Sequence, residues 1–190
     1  AAAVADRDRI YGVIKATAVN HGGKNNGYTV PNPLAQAEVI ELALRDSGIS
    51  PRTISYVEAH GTGTSLGDPI EIAGLKKAFA KYTDALGFCA IGSVKSNIGH
   101  SEAAAGIAGL TKVLLQMQHR QLVPSLHAKR LNPNIDFEKT PFRVQSELTG
   151  WQSVETTRIA GIYSLVAGRA NAPVIVWYVI GERTRRQPAH

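Results

Sequence analysis

The chain has 190 residues, 44% apolar and 19% charged, and a formal net charge of +6, which is typical of one folded, soluble domain rather than a disordered chain. Part of the charge lies in a predicted basic tail at 181–190, and no basic stripe with interleaved aromatic residues accompanies it, so nucleic acid is not an expected partner. The single cysteine, Cys89, excludes an internal disulfide and favours a cytoplasmic location, and no run reaches the roughly 20 apolar residues of a membrane span, so no membrane partner is expected.

After a predicted linker or fragment edge at residues 1–8, apolar periodicity predicts strands and helices in alternation. In chain order, the predicted elements are a strand (10–19), a helix (34–45), a strand (54–57), a helix (68–79), a strand (90–94), a helix (102–117) and two antiparallel strands (158–163 and 174–180). Residues 124–150 contain three prolines and are predicted to be loop. The alternation predicts an α/β fold.

Two of the predicted helices carry distinctive residues. At the start of the helix over 68–79, Asp68 is predicted to cap free amides, and Glu71 to complete a capping-box-like pattern. In the helix over 102–117, small residues such as Gly106 and Gly109 permit close backbone packing. We therefore expect that helix to be buried.

Two glycine-rich segments follow predicted strands, and each contains one histidine. The first has His60 followed by glycine and threonine in alternation, and the second ends at His100. Because ligands collect at the carboxyl ends of parallel strands, we expect the two histidines to share one site. They could act as general bases, as hydrogen-bond donors to a carbonyl, or as metal ligands. A metal is not expected, since Asp68 and Glu71 are explained as caps and Cys89 lies within a strand.

The neighbours of these histidines suggest supporting roles. His100 precedes the positive end of a helix, which favours a neutral ring that donates a hydrogen bond. Lys95 could pair with Glu102 or orient the loop. Thr62 and Asn97 are predicted to fix the loops by hydrogen bonds.

These segments resemble the C-terminal half of β-ketoacyl synthases from modular polyketide synthases. The resemblance covers roughly residues 9–175, places the domain at 9–180, and is strongest at 60–64 (HGTGT), 67–69 (GDP) and 95–100 (KSNIGH). Residues 20–24 (NHGGK), 27–33 (GYTVPNP) and 122–127 (LVPSLH) are most similar to bacterial assembly lines whose acyltransferase is a separate protein.

The resemblance implies a thiolase-like fold of two similar α/β halves, a dimer, and decarboxylative Claisen condensation of an enzyme-bound acyl thioester with a malonyl unit. The malonyl unit is carried on the phosphopantetheine arm of an acyl carrier protein, and no cofactor is bound directly. It implies that His60 and His100 polarise the malonyl carbonyl and stabilise the enolate. It also implies support from a further set of residues: Lys95, Glu102, Thr62, Thr64 and Asn97.

The sequence departs from the family pattern in two places. The family's nucleophilic cysteine lies in an N-terminal half that these residues do not match, and Cys89 is predicted to be a buried, small apolar residue instead. The family's late segment Ser-Phe-Gly-x-Gly-Gly-x-Asn-Ala-His, which lines the active site and supplies an oxyanion-hole amide, is altered here. The replacing residues are Leu165, Val166, Arg169 and Pro173.

Two functional hypotheses result. In the first, the chain is the C-terminal part of a condensing ketosynthase, inactive alone and acting with an N-terminal half, a carrier protein and a second copy of the full ketosynthase. In the second, it is a non-condensing ketosynthase-like piece that serves assembly, dimerisation or acyl-transfer gating.

Overall fold

The computed structural model describes residues 2–22, 31–152, 157–165 and 170–179. The helices are α1 (Ala2–Ala5), α2 (Pro33–Ser47), α3 (Gly67–Ala80), α4 (Lys95–Ile98) and α5 (Ala105–His119). The strands are β1 (Val13–Thr17), β2 (Asn20–His21), β3 (Tyr56–Glu58), β4 (Cys89–Gly92), β5 (Gln121–Leu122), β6 (Phe142–Val144), β7 (Thr149–Gly150), β8 (Thr157–Leu165) and β9 (Ala170–Val179).

One mixed sheet organises these elements in the order β1-β9-β8-β3-β4-β6, and β2 also pairs with β9. Strand β3 lies parallel to both β4 and β8, and β4 lies parallel to β6. Strand β9 runs antiparallel to β1, β2 and β8. The short strands β5 and β7 form a separate antiparallel ribbon. The predicted α/β class and the final antiparallel pair are confirmed.

Alternating side chains of the central strands point to opposite faces of the sheet, as the period of a strand requires. One face carries Val57 and Cys89, which pack with α2 and α3 around Leu44 and Phe79. The other face carries Tyr56 and Ala90, and their cluster includes α5 residues. The sheet is therefore covered by α2 and α3 on one side and by α5 on the other.

Helix α2 spans Pro33–Ser47, one residue longer at its start and two residues longer at its end than the helix predicted over 34–45. The side chain of Asn32 accepts hydrogen bonds from the backbone N–H groups of Leu34 and Ala35, and Pro33 occupies the first turn. The helix ends at Gly48, whose φ of 66° is left-handed.

Helix α5 is buried on one face only, so the expectation of a buried helix is wrong for its other face. It begins at Ala105, after a 3₁₀ turn over 102–104, and its buried side includes Gly109 and Val113. On the other side, Ile107 and Leu115 are 60% and 50% exposed. The pattern of small residues could not show which side of the helix would stay exposed. Small residues indicate close packing, but they do not indicate which element packs against them.

The predicted loop over 124–150 contains strand β6, which extends the sheet beside β4, and the ribbon strand β7. Each has three residues or fewer, too short for an alternating pattern to appear in the sequence. The strand predicted over 10–19 is shorter in the structure, where β1 spans only Val13–Thr17 and has a register shift between Ile14 and Ala16. Among the described residues, no helix combines the length and apolar character needed to cross a membrane.

Candidate active site

Strands β3 and β4 end side by side and bring both histidine segments to the same edge of the sheet. Glu58 and Gly92 are register partners, and the N–H of Ala59 donates to the carbonyl of Gly92 at 2.8 Å. Beyond these strand ends, the rings of His60 and His100 meet edge to face, with centroids 5.3 Å apart and planes at 79°. The structure therefore places the two histidines in one site.

The backbone of the His60 loop is held by Glu71, a carboxylate near the start of α3. Its two oxygens accept from the N–H groups of His60 at 2.7 Å and Gly61 at 2.9 Å. Gly61 has φ of 48°, and a Cβ there would lie 2.7 Å from the Cβ of Ser93, so only glycine fits. The buried carboxylate thus sets where the His60 backbone leaves β3.

The sequence prediction that Asp68 and Glu71 cap the helix is wrong. Helix α3 begins at Gly67, so Asp68 lies in its first turn and Glu71 just beyond that turn, and both side chains reach across to the preceding loop. Asp68 accepts from the N–H of Gly63 at 3.1 Å, and the hydroxyl of Thr64 accepts from the N–H of Gly67 at 3.0 Å. A capping-box pattern and a loop anchor use the same residue types, which is why the sequence did not separate them.

Burial and neighbouring charge favour a neutral His60. Burial, then the Lys95 ammonium, then His100 lower the pKa of His60 to about 4. Burial also raises the pKa of Glu71 to about 7, although its two backbone hydrogen bonds oppose the change. The pKa of Lys95 is lowered by burial, against the attraction of Glu71 and Glu58.

The ring of His100 is held by a backbone group instead. Its Nδ1 accepts from the N–H of Glu102 at 2.9 Å. That nitrogen carries no proton, so the proton of a neutral ring lies on Nε2. Glu102 adopts φ of 46°, a left-handed conformation that is uncommon for glutamate, and its side chain is exposed.

The remaining predicted site residues lie around this pair, and their contacts are local. Within the described part of the chain, Lys95 forms no ion pair with Glu102. The hydroxyls of Thr62 and Thr64 are 3.4 Å apart, and the amide oxygen of Asn97 accepts from the Ser96 hydroxyl at 3.1 Å. The loop-fixing role of Thr62 and Asn97 stays a prediction.

Two serines with no predicted role connect the second histidine segment to the following loop. The hydroxyl of Ser125 accepts from the N–H of Ser93 at 3.1 Å, and that of Ser96 accepts from the N–H of Leu126 at 3.0 Å. A serine in a loop carries no local signal of a partner 30 residues away. A cleft of about 700 Å³ opens beside these residues, with Lys95 in its lining.

Cys89 lies away from the site edge and is fully buried within β4, so the prediction of a buried apolar role is confirmed. Burial raises the pKa of its thiol far above the ordinary value. No three His, Cys, Asp or Glu residues of the described ranges are grouped closely enough to hold a metal ion.

The altered late segment joins β8 to β9. Leu165 and Asn171 are register partners at the hairpin end, and Pro173 pairs with Tyr163. Val166 and Arg169 lie outside the described residues. Because β8 is parallel to β3, the described end of β8 reaches the same edge of the sheet as His60.

The fold, with its paired histidines, defines the C-terminal part of a β-ketoacyl synthase. Residues 11–129 match the family described as "Beta-ketoacyl synthase, C-terminal domain", and the chain belongs to that family.

The relatives of this chain point to a narrower class, the polyketide synthases. The chain is 68% identical over 177 residues to polyketide synthase ThaG of Burkholderia thailandensis, and 61% identical over 183 residues to polyketide synthase PksL of Bacillus subtilis. Each alignment covers 92% of this chain but only 3% of ThaG and 4% of PksL.

Solved ketosynthases share the same fold. The Streptomyces albus oxazolomycin ketosynthase domain OzmH KS7 is 52% identical, with a TM-score of 0.90 over 95% of this chain and 32% of that one. The ketosynthase from module 6 of the Bacillus subtilis bacillaene synthase is 46% identical, with a TM-score of 0.90 over 93% of this chain and 32% of that one. The thiolase-like fold and the resemblance to the C-terminal ketosynthase half of modular polyketide synthases are confirmed.

Proposed function

We propose that this chain supplies the two catalytic histidines of a polyketide ketosynthase that condenses an acyl and a malonyl thioester. The observation that carries the proposal is the contact between the His60 and His100 rings at the end of two parallel strands. In this proposal the nucleophilic cysteine comes from an N-terminal half, because Cys89 is buried within the sheet.

The two rings suit the decarboxylation step. His100 presents Nε2–H, since its Nδ1 is already bound by a backbone amide, and this N–H is suited to donate to the malonyl thioester carbonyl. His60 stays neutral at pH 7 and is suited to donate a second hydrogen bond to the same oxygen. When carbon dioxide leaves, the electron pair of the broken C–C bond forms an enolate, and its oxygen is stabilised by these donors. Lys95 adds positive potential nearby.

The enolate carbon then attacks the acyl thioester held on the cysteine, forming the new C–C bond and releasing the thiolate. The malonyl unit arrives on the phosphopantetheine arm of an acyl carrier protein, and the cleft of about 700 Å³ beside Lys95 offers room for an extended arm. We propose no directly bound cofactor, and a cytoplasmic enzyme of the type whose acyltransferase is a separate protein.

The open face of α5 supports the need for a further protein surface. Ile107 and Leu115 on α5, together with Leu66 and Ile98 beside the histidine loops, are each at least 50% exposed. Contiguous exposed apolar side chains mark a contact surface, and we propose that these side chains contribute to one. We assign it to the N-terminal ketosynthase half, and assign dimerisation to the full ketosynthase.

The test compares this chain alone with an assembled ketosynthase, in which the chain is fused behind the part of the OzmH ketosynthase domain that precedes the matching segment. The chain alone should form no C–C bond from acyl and malonyl carriers, whereas the assembled ketosynthase should. His60→Ala or His100→Ala should lower malonyl decarboxylation by about a hundredfold or more, and cysteine acylation less. Condensation by the chain alone, or decarboxylation at the parent rate in both variants, would contradict the proposal.

The altered late segment favours a second candidate function, a non-condensing piece that serves assembly, dimerisation or acyl-transfer gating. If the second candidate holds, loss of one oxyanion donor slows acyl transfer by about a hundredfold or more, and condensation in the assembled ketosynthase is weak. Restoring the family residues together should raise it by a similar factor: Leu165→Phe, Val166→Gly, Arg169→Gly and Pro173→His. Equal, robust turnover before and after restoration would exclude the non-condensing candidate.

A further inference from the structure

A closed group of three polar side chains lies beneath the histidine site, between the sheet and α5. The Nζ of Lys112 lies 2.9 Å from Oε2 of Glu58 and 2.8 Å from the hydroxyl of Tyr56, and that hydroxyl donates to the same Oε2 at 2.7 Å. The Lys112 side chain is 8% exposed and that of Glu58 is 2% exposed. None of the three side chains lines the cleft beside Lys95.

This group touches each segment that delivers a site residue. Glu58 is the last residue of β3, two residues before His60, and Lys112 lies in α5, the helix that follows the His100 segment. The second oxygen of Glu58 accepts from the N–H of Val94, the residue immediately before Lys95. One carboxylate therefore connects all three segments.

The backbone leaves close-fitting space for this group. A Cβ at Gly109 on α5 would lie 3.1 Å from Cγ of Glu58, and one at Gly92 on β4 would lie 2.9 Å from the hydroxyl of Tyr56. Burying two charges requires desolvating both, so such a pair is weak evidence of stabilisation. Its contacts instead fix the spacing between β3, β4 and α5.

We propose that Glu58 and Lys112 are positioning residues that hold the His60 and His100 segments at their working separation. The inference rests on the proposed condensing function. Neither residue touches the reacting atoms; each acts through the backbone that carries a histidine. A displacement of about 1 Å at a reacting group can cost about a hundredfold in rate, so modest movement of α5 against β3 is enough to matter.

The experiment measures Lys112→Met, Glu58→Gln and the double variant in the assembled ketosynthase. Each single variant should lower kcat for malonyl decarboxylation by about tenfold or more, with KM and the rate of cysteine acylation within about twofold of the parent. The double variant should be no slower than the slower single variant, because the residues act as a unit. Lys81→Met, at the exposed Lys81–Glu41 pair, is the matched control and should leave kcat unchanged.

Folded single variants with parent kcat would overturn the proposal, and so would a parallel fall in acylation and decarboxylation, which indicates general loss of structure. If the single variants do not fold, Tyr56→Phe decides, because it removes only one hydroxyl. A lower kcat with unchanged KM supports positioning, and parent kcat overturns it. His60→Ala in the same assay separates the two proposals, since parent decarboxylation there contradicts the condensing function itself.

Discussion

The two histidines occupy one site but are held in opposite ways. At His60, a buried side chain, Glu71, binds the backbone of the histidine and its neighbour. At His100, a backbone amide, that of Glu102, binds the ring itself. Position 71 therefore depends on its side chain, whereas position 102 depends on its backbone, although both carry glutamate. The residue type alone therefore does not show whether the side chain or the backbone of a glutamate holds the site.

The largest expected effect among substitutions at these two anchors comes from Glu71→Ala. It leaves the half-buried N–H groups of His60 and Gly61 without their acceptor, which lowers the free energy of unfolding by up to about 1–3 kcal/mol for each group. Malonyl decarboxylation in the assembled ketosynthase should fall by about 10- to 100-fold. Asp68→Ala, which removes only the bond to Gly63, is the control and should have a smaller effect. Unchanged decarboxylation in Glu71→Ala would show that the loop holds His60 without its anchor.

A smaller effect is expected from substitutions at position 102, and it should depend on the backbone. Glu102→Pro removes the N–H that binds His100 and requires φ near −65°, so decarboxylation should fall by about tenfold. Glu102→Gly keeps the N–H and readily adopts the left-handed conformation, so the rate should stay within about twofold and the free energy of unfolding should rise by about 0.5–1 kcal/mol. Steady-state kinetics and denaturant unfolding measure both. A rate loss in Glu102→Gly as large as in Glu102→Pro would assign the role to the carboxylate.

The smallest expected effect is a change in pH dependence at His60. Its folded-state pKa of about 4 lies below the ordinary 6.5, so the unfolded chain binds the proton more readily. The contribution of His60 to stability is therefore fully present above about pH 6.5 and is lost as the pH falls toward 4. Because His60 remains unprotonated down to about pH 5, its titration should not change the decarboxylation rate between pH 8 and about 5.

Lys95→Met sharpens this point, because Lys95 contributes to lowering the pKa of His60. With the ammonium removed, the pKa of His60 should rise above about 4 but stay below 6.5, since burial remains. The acid limb of the decarboxylation pH profile should move to higher pH, and ring NMR signals of His60 should follow. Lys77→Met, on the exposed side of α3, is the control. If the pKa of His60 is the same in Lys95→Met as in the parent, Lys95 does not contribute to lowering it.

Much of the architecture could be predicted, because it depends on local chemistry. Apolar periodicity predicted α2 to within two residues at either end, and the apolar runs before each histidine predicted the central strands. Strand β6 could not be predicted, since three residues carry no period and its stability comes from pairing with β4. At the site, the glycine pattern identified the loops, but the reach of Glu71 and the left-handed Glu102 arise from tertiary packing. Neither leaves a trace in the local sequence.

The pairing of β1 with β9 has a consequence for how this domain forms. Val13, near one end of the sequence, is the register partner of Trp177, near the other, and β2 also pairs with β9. Contacts between such distant residues close a long loop, which carries an entropy cost and slows folding. A nascent chain emerging from the ribosome exposes β1 long before its partner strand has been made. We therefore expect β1 to be the last strand of the sheet to gain protection from hydrogen exchange during synthesis.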